Sequence, residues 1–274
     1  MNETKNIERT CGEIKNDWAE IAAAIRSGVE FHMGDYKKET TLCGENMVLV
    51  VTDVTDEYVR FESRDCVGRM GISWSKEGNT KCGYGDSDVS KFLNREIWEK
   101  LPESLKTVIS PTIRKHKDYN GEVKEYSTCL FLPAASEVFD EDEYYGDEGL
   151  YEQLEYYKDR RNRMKGLVTG EDTCYWWLAS VRSDSSTCAC SVDGYGYAGN
   201  YGASYVLHVP LCFTIKKKFM QNNKIPYERM VEIATLLKDG LIEDDMHEAL
   251  LYLRDTVELT PDEAKFFEVD FSEV

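Results

Sequence analysis

The sequence predicts an α+β fold in which short antiparallel sheets pack against two helices, with a helical appendage after the last strand. Continuous or alternating apolar residues, as at 48–51 and 58–61, are typical of strands. Apolar residues at three- to four-residue spacing on either side of them predict amphipathic helices. The 274 residues, 42% of them hydrophobic, suffice for one sizeable core.

The first element is a capped helix. Asn16 and Asp17 precede Trp18 and further apolar residues at helical spacing, with Glu20 in the first turn and Gly28 after the last. Residues 31–63 then change to short apolar runs separated by glycine and aspartate. This pattern predicts a meander of antiparallel strands against which the helix packs.

The middle of the chain alternates short helices and strands. Asp86 and Ser87 open a helix with apolar residues on one face, and Pro102 predicts the start of a shorter helix over 103–109. Residues 128–132 are strand-like and 133–139 form a helical turn, while 150–164 are compatible with a longer helix that ends in basic residues. These helices and strands would complete the predicted α+β domain.

The second half contains two strand-like segments, 174–178 and 205–215, with a loop-rich insert at 183–204 between them. The last 56 residues, 219–274, carry a net charge of −9 and apolar residues at helical spacing. The predicted domains are a polar N-terminal tail (1–13), the α+β domain (14–217) and an acidic helical appendage (218–274).

The charge excludes several function classes. The net charge of −18 argues against nucleic acid and anionic membranes as partners. Residues 1–30 lack the basic start and apolar block of a signal peptide, and no apolar stretch is long enough to span a bilayer. Nine irregularly spaced cysteines are typical of reduced thiols. We therefore expect a cytoplasmic or virion-associated protein without membrane insertion.

Several candidate chemical sites are weak. Residues 194–199 spell G-x-G-x-x-G, but no helical pattern follows, so a glycine-rich loop is favoured over a dinucleotide site. Cys188 and Cys190 have poor spacing for zinc, and the acidic run at 140–148 lacks the ligand pattern of a calcium loop. No sequence pattern indicates a nucleophile paired with a general base. We expect no catalytic residues, no metal and no cofactor, and at least one of Trp176 and Trp177 in the core.

The insert has the composition of a binding surface. Tyrosine offers rigid amphipathic contact area, and Ser, Gly, Asn and Asp offer adaptable hydrogen bonds, as in antibody paratopes. An ordinary loop packed by its own tyrosines is the alternative. The candidate ligand-binding residues are Arg182, Ser183, Asp184, Ser185, Ser186, Ser191, Asp193, Tyr195, Tyr197, Asn200, Tyr201 and Tyr205.

Short motifs in a fixed order also carry a family resemblance over most of 14–215. The motifs lie at 31–35, 87–94, 101–102, 131–137, 176–180 and 209–215. In this order the chain resembles a bacterial and phage family of unknown function with a C-type-lectin-like fold. That fold is similar to formylglycine-generating enzymes and to the variable proteins of diversity-generating retroelements.

The resemblance implies a compact C-type-lectin-like domain whose last strands frame a ligand-binding face. In retroelement-diversified proteins the reachable residue types exclude Lys, Glu, Gln, Met and Trp. Residues 178–215 contain none of these five, although together they make up nearly a quarter of the chain. The leading expectation is a non-enzymatic module that binds a protein or other macromolecular ligand through 182–205.

Two other functions remain open. A structural or assembly protein, in a virion or an intracellular scaffold, would use the helices of 219–274 to bind a partner or a second copy. An enzyme of the formylglycine-generating type would need an oxidisable cysteine pair near a substrate groove, and Cys188 and Cys190 are the only pair close in sequence.

Overall fold

The computed structural model describes residues 7–140, 149–168, 173–183 and 185–217, which form a sheet-rich mixed α/β domain. The strands are β1 (Arg9–Thr10), β2 (Glu13–Ile14), β3 (Tyr36–Thr40), β4 (Asn46–Val54), β5 (Tyr58–Ser63), β6 (Val67–Ser73), β7 (Thr112–Lys117), β8 (Val123–Thr128), β9 (Trp176–Val181), β10 (Cys188–Val192), β11 (Ala198–Gly202), β12 (Val206–Val209) and β13 (Cys212–Lys216). The helices are α1 (Trp18–Arg26), α2 (Asp88–Phe92), α3 (Trp98–Lys100), α4 (Glu103–Lys106), α5 (Ala135–Val138) and α6 (Glu155–Lys158). The described ranges thus confirm the predicted combination of sheets with few helices.

The strands form two larger sheets and one hairpin. The first sheet has the order β1-β2-β3-β4-β5-β13, the second has the order β11-β10-β9-β12-β6, and β7 pairs with β8. Neighbouring strands are antiparallel except for β2 with β3 and β12 with β9. The predicted meander over 31–63 is confirmed as β3, β4 and β5. The predicted domain start at residue 14 falls within the small β1–β2 hairpin.

Helix α1 packs on the first sheet as its cap and apolar spacing predict. The side chain of Asp17 accepts a hydrogen bond from the backbone N–H of Glu20, which closes the capping box. Trp18 meets Phe61 and Phe213 edge to face, with ring centroids 5.5 and 5.9 Å away. These rings belong to the larger of two buried cores, which contains residues of both sheets.

Strand β9 of the second sheet is buried on both faces. Trp176 and Trp177 are adjacent on β9 and fully buried, but they belong to different cores. Successive strand side chains point to opposite faces, so one tryptophan enters each core. The prediction of at least one core tryptophan is confirmed, and the second core gives β9 rigid support on both sides.

Two predicted helices are shorter than expected. Helix α4 ends at Lys106, and the segment predicted over 150–164 contains only α6 and a 3₁₀ turn at Arg160–Arg163. Local apolar spacing does not mark these helix ends. The predicted helical turn at 133–139 is confirmed as α5.

The helix opened by Ser87 contains one wide turn. Helix α2 continues through a π turn at Leu93–Ile97 into α3. The side-chain amide of Asn94 donates to the carbonyls of Ser90 (3.0 Å) and Leu130 (2.8 Å), and its oxygen accepts from the N–H of Leu130 (3.0 Å). These bonds tie the wide turn to the neighbouring chain and leave the Asn94 amide satisfied.

The expected loop-rich insert is instead an ordered β-hairpin. β10 and β11 pair without a register shift, from Cys188 opposite Gly202 to Val192 opposite Ala198. The prediction of a loop over 183–204 was therefore wrong for the ten residues of β10 and β11. Glycine and tyrosine suggest a loop in the sequence, but here the edge of an established sheet supplies the pairing partner.

Some predictions fall outside the described residues. They concern the appendage at 218–274 and all but the first residue of the acidic run at 140–148. Among the helices that the structure describes, none has the length and apolarity needed to cross a membrane.

Candidate functional site

The turn between β10 and β11 is shaped by Asp193. Its carboxylate accepts hydrogen bonds from the backbone N–H groups of Tyr195 (2.9 Å) and Tyr197 (2.8 Å). Gly196 adopts a φ of +81°, and a Cβ there would lie 2.8 Å from the carbonyl oxygen of Arg160. Asp193, expected at the ligand surface, therefore orders the loop that presents the two tyrosines.

Three of the predicted tyrosines project into solvent. Tyr195, Tyr197 and Tyr205 are 68%, 55% and 60% exposed. Large apolar side chains exposed together on one part of a surface mark interaction sites more often than single ones do. The rings are thus accessible at the predicted position instead of packing inward.

Tyr201 is half-buried and links this surface to the core. Its ring meets those of Tyr175 and Tyr205, each with a centroid 5.7 Å away. The pKa of Tyr175 is raised, first by the adjacent phenol of Tyr201 and by partial loss of water, and further by Asp193 and Tyr195. These contacts place the hairpin turn and the Tyr175 hydroxyl close together.

We call Tyr175, Tyr195, Tyr197, Tyr201 and Tyr205 the tyrosine surface. Sequence reasoning missed Tyr175, which precedes β9 and is 40% exposed. It also missed Arg160, whose exposed guanidinium lies over the ring of Tyr197 at 4.6 Å. Strand alternation beside the buried Trp176 could have indicated Tyr175, whereas only the tertiary structure brings Arg160 there.

The predicted polar neighbours divide into different roles. Ser191 is fully buried in the middle of the second sheet, so its assignment to the ligand surface was wrong. The pairing of β10 between β9 and β11 encloses it. Arg182 donates from Nη1 to the side-chain oxygen of Asn200 at 3.3 Å, which joins two predicted residues across the sheet.

The remaining serines lie at the start of the hairpin. Ser183 is exposed, whereas Ser185 and Ser186 are half-buried. The hydroxyl of Ser185 is 3.1 Å from that of Thr187, and the carbonyl of Ser186 accepts from the N–H of Thr80 at 2.8 Å. Asp184 lies outside the described residues.

Within the described residues, the glycine-rich motif and the candidate metal ligands do not form the sites that their residue types could suggest. The G-x-G-x-x-G residues 194–199 form the hairpin turn and the start of β11, with no helix N-terminus behind them. Across 7–140, 149–168, 173–183 and 185–217, no cluster of three or more His, Cys, Asp or Glu is arranged to hold a metal ion.

A second candidate is a buried charge cluster around β5 of the first sheet. Arg60, Arg114 and Glu137 meet at one end, with Glu137 2.7 Å from Arg60 and 2.6 Å from Arg114. Lys165 lies 2.8 Å from Glu62 at the other end. Tyr157 also donates to Glu62, and the Cys212 thiol is 3.3 Å from its second oxygen. The cluster comprises Arg60, Glu62, Arg114, Glu137, Tyr157, Lys165 and Cys212.

This cluster contains residue types found in catalytic sites, but it is not accessible to a ligand. Its charged side chains are at most 7% exposed. Burial raises the pKa of the Cys212 thiol well above its usual range, which keeps it protonated and poorly nucleophilic. The cluster joins β5 and β13 to α5 and α6, so its role in the described domain is structural.

One thiol pair combines contact with partial exposure. The sulfurs of Cys66 and Cys174 are 3.5 Å apart, and Cys66 is the more deeply buried of the two. The hydrogen bond with Cys66 lowers the pKa of Cys174, and the Lys165 ammonium lowers it further. Burial, together with the same bond, raises the pKa of Cys66. Cys174 is therefore the thiol of this pair that ionises first.

We expect Cys174 to react with iodoacetamide at lower pH than Cys82, whose pKa burial raises. Site-resolved mass spectrometry of the alkylation rate against pH should give a lower midpoint for Cys174. Cys66→Ala removes the hydrogen bond and should move that midpoint upward, whereas the distant Cys129→Ala should leave it in place. Equal midpoints for Cys174 and Cys82 would contradict the assignment.

The fold and surface define a class: a sheet-rich mixed α/β domain that displays exposed tyrosines at both ends of β11, the edge strand of its second sheet. Residues 45–217, more than half of the chain, match the family described as "Domain of unknown function (DUF6273)", and the chain belongs to this family. No curated protein and no solved structure shows a significant match to the chain.

Proposed function

We propose that the chain is a non-enzymatic, C-type-lectin-like module that binds a protein or other macromolecular ligand through its tyrosine surface. The observation that carries this proposal is the exposure of Tyr195, Tyr197 and Tyr205 on a sheet with a core on each face. A rigid support lowers the entropy lost when exposed side chains bind.

The chemistry of the surface also supports ligand binding. Tyrosine and arginine are enriched among the residues that dominate interface energetics. Arg160 lies over Tyr197, so one cation accompanies the rings in a chain whose net charge is −18. A ligand with aromatic or aliphatic side chains would gain both apolar burial and phenol hydrogen bonds here.

The test uses a protein array probed with the labelled, purified chain, followed by titration of its tightest saturable binder. Replacing Tyr195, Tyr197 and Tyr205 together by Ala should weaken that binding by about a hundredfold or more, because several anchors are lost. Tyr201 is retained because it packs against the larger core.

A matched control removes exposed apolar side chains elsewhere. The triple variant Met70→Ala, Ile113→Ala, Val123→Ala changes residues that are 81%, 65% and 49% exposed. Its affinity should stay within about twofold of the parent, since its side chains lie outside the proposed interface. An unchanged affinity in the tyrosine variant, or an array without a saturable binder, contradicts the proposal.

Diversification of residues 178–215 belongs to the same proposal. This window includes the hairpin turn and four of the five members of the tyrosine surface, and it lacks the five residue types that adenine mutagenesis does not reach. Sequencing the neighbouring DNA tests it. A reverse-transcriptase gene with a near-copy of these codons, differing at adenines, is expected; its absence contradicts diversification without affecting ligand binding.

A further inference from the structure

We infer that the ligand includes an extended polypeptide segment that pairs with the free edge of β11 and adds a strand to the second sheet. The inference rests on the proposed function, because it names the partner class and binding mode of the same surface. Its starting point is the position of β11 at the end of the strand order.

The hydrogen-bond pattern shows which groups face outward. Ala203 donates its N–H to the carbonyl of Thr187 at 2.8 Å, so its N–H points towards β10. Backbone direction alternates along an antiparallel strand, and the register has no shift. Tyr201 therefore also faces β10, while the N–H and C=O groups of Ala198 and Asn200 face away from it.

Two other edges of the described sheets are protected by features that β11 lacks. β8 carries Lys124 and Glu125, and β13 is covered where Ser110 donates to Thr214 at 2.9 Å. Charges, prolines, bulges and covering segments are the features that prevent edge pairing. The sequence of β11, AGNYG, has no charge or proline, although 31% of the chain is charged.

The outward groups favour a polypeptide occupant. Another extended backbone presents donors and acceptors with the spacing of a strand, which is the basis of recognition by strand addition. Its alternate side chains would meet the ring of Tyr201 on one face and Asn200 on the other. The net charge of −18 disfavours a second copy of this chain through repulsion, so we assign a neutral or basic peptide of a partner protein.

Asn200→Pro tests the pairing directly. Proline removes the outward N–H of Asn200 but no donor of the β10–β11 ladder, and edge strands tolerate proline at such positions. Asn200→Ala is the matched control, because it also loses the side-chain contact with Arg182 but keeps the N–H. Circular dichroism and urea unfolding check that both variants retain the parent fold.

The probe is a set of linear peptides selected from a randomised display library against the full chain, with affinity measured by fluorescence anisotropy. Asn200→Pro should weaken binding at least about tenfold more than Asn200→Ala does, because both variants lose the amide side chain and only proline also loses the N–H. N-methylation along the peptide should reduce affinity at every second residue, because alternate N–H groups face the domain.

The outcomes separate this inference from the proposed function. If the tyrosine variant loses binding and Asn200→Pro does not, the proposed tyrosine surface is supported and strand addition is overturned. Loss in Asn200→Pro alone supports strand addition and contradicts the tyrosine anchors, while loss in both supports both. Three further results would overturn strand addition. They are equal losses of affinity for Asn200→Pro and Asn200→Ala, an N-methyl scan without a two-residue period, and a library in which no peptide has a Kd below about 100 µM.

Discussion

Glu137→Gln is expected to lower the free energy of unfolding by about 3–5 kcal/mol. Glu137 is 3% exposed and accepts two hydrogen bonds from Arg114, at 2.9 and 2.6 Å, and one from Arg60 at 2.7 Å. Glutamine keeps the shape but removes the charge. Two buried guanidinium groups would then lose the carboxylate that compensates both of them.

The carboxylate is also held by the local fold. The N–H of Ala134 donates to Glu137 at 2.8 Å, so the substitution also weakens the start of α5. Both guanidinium groups lie near the ring of Phe131, with centroid distances of 5.2 Å for Arg60 and 4.6 Å for Arg114. Neither cation can reach solvent without disrupting this packing, which explains the large expected effect.

The same residue predicts a dependence of stability on pH. Burial by itself raises the pKa of Glu137, but Arg114 and Arg60 outweigh it and hold the pKa at about 2. An unfolded glutamate has a pKa of about 4.3, so the contribution is present above that value and lost as the pH falls towards 2. The stability difference between parent and Glu137→Gln should therefore shrink between roughly pH 5 and pH 2.

Urea unfolding at several pH values measures both effects. Glu103→Gln is the control, because the Glu103 side chain is 80% exposed and its partner, the ammonium of Lys106, is 3.5 Å away. We expect that variant to change the unfolding free energy by less than about 1 kcal/mol. A loss at Glu137 as small as that of the control, or one that does not depend on pH, would contradict the role given to this carboxylate.

Trp177→Ala is expected to destabilise the domain by about 3–5 kcal/mol. Trp177 is fully buried on β9 in the larger core, and its indole N–H donates to the carbonyl of Ile72 at 2.9 Å. Alanine would leave a cavity in a close-packed interior and an unpaired buried carbonyl. Because β9 is the central strand of the second sheet, the support of the tyrosine surface would weaken with it.

Trp177→Phe separates packing from hydrogen bonding. It retains much of the ring volume but not the donor, so we expect a smaller loss of about 1–3 kcal/mol. Tyr195→Ala removes an exposed aromatic ring and should change stability by no more than about 0.5 kcal/mol. Unfolding is followed by far-ultraviolet circular dichroism, since removal of a tryptophan alters fluorescence. Equal losses for the three variants would show that β9 is not the support inferred here.

Local signals predicted the elements whose ends are chemically marked. Helix α1 was predicted from Asn16 and Asp17 before the first apolar residue, Glu20 in the first turn and Gly28 after the last. The meander of β3 to β5 followed from apolar runs and turn residues. The hairpin β10–β11 was missed, because its stability comes from pairing with β9 and not from the strand propensity of glycine, serine and tyrosine.

The candidate site was predicted in composition but not in arrangement. Tyrosines 195, 197 and 205 were expected at the surface from their residue type, and they are exposed. Asp193 and Ser191 belong to the same segment, yet one orders the turn and the other is enclosed in the sheet. Composition indicates that a segment contains residue types common at binding surfaces, whereas the strand register decides which of their side chains reach the surface.

The sequence by itself determined the class of fold, the first helix, the strand meander and the segment that carries the exposed tyrosines. Periodicity and caps are local, so they specify which side chains share a face. They do not specify what covers that face: Arg60 and Glu62 alternate with Val59 and Phe61 as a solvent-facing row would, yet both are 1% exposed. Only the tertiary structure decided this, because the charges that compensate them come from Glu137 and Lys165, far away along the chain.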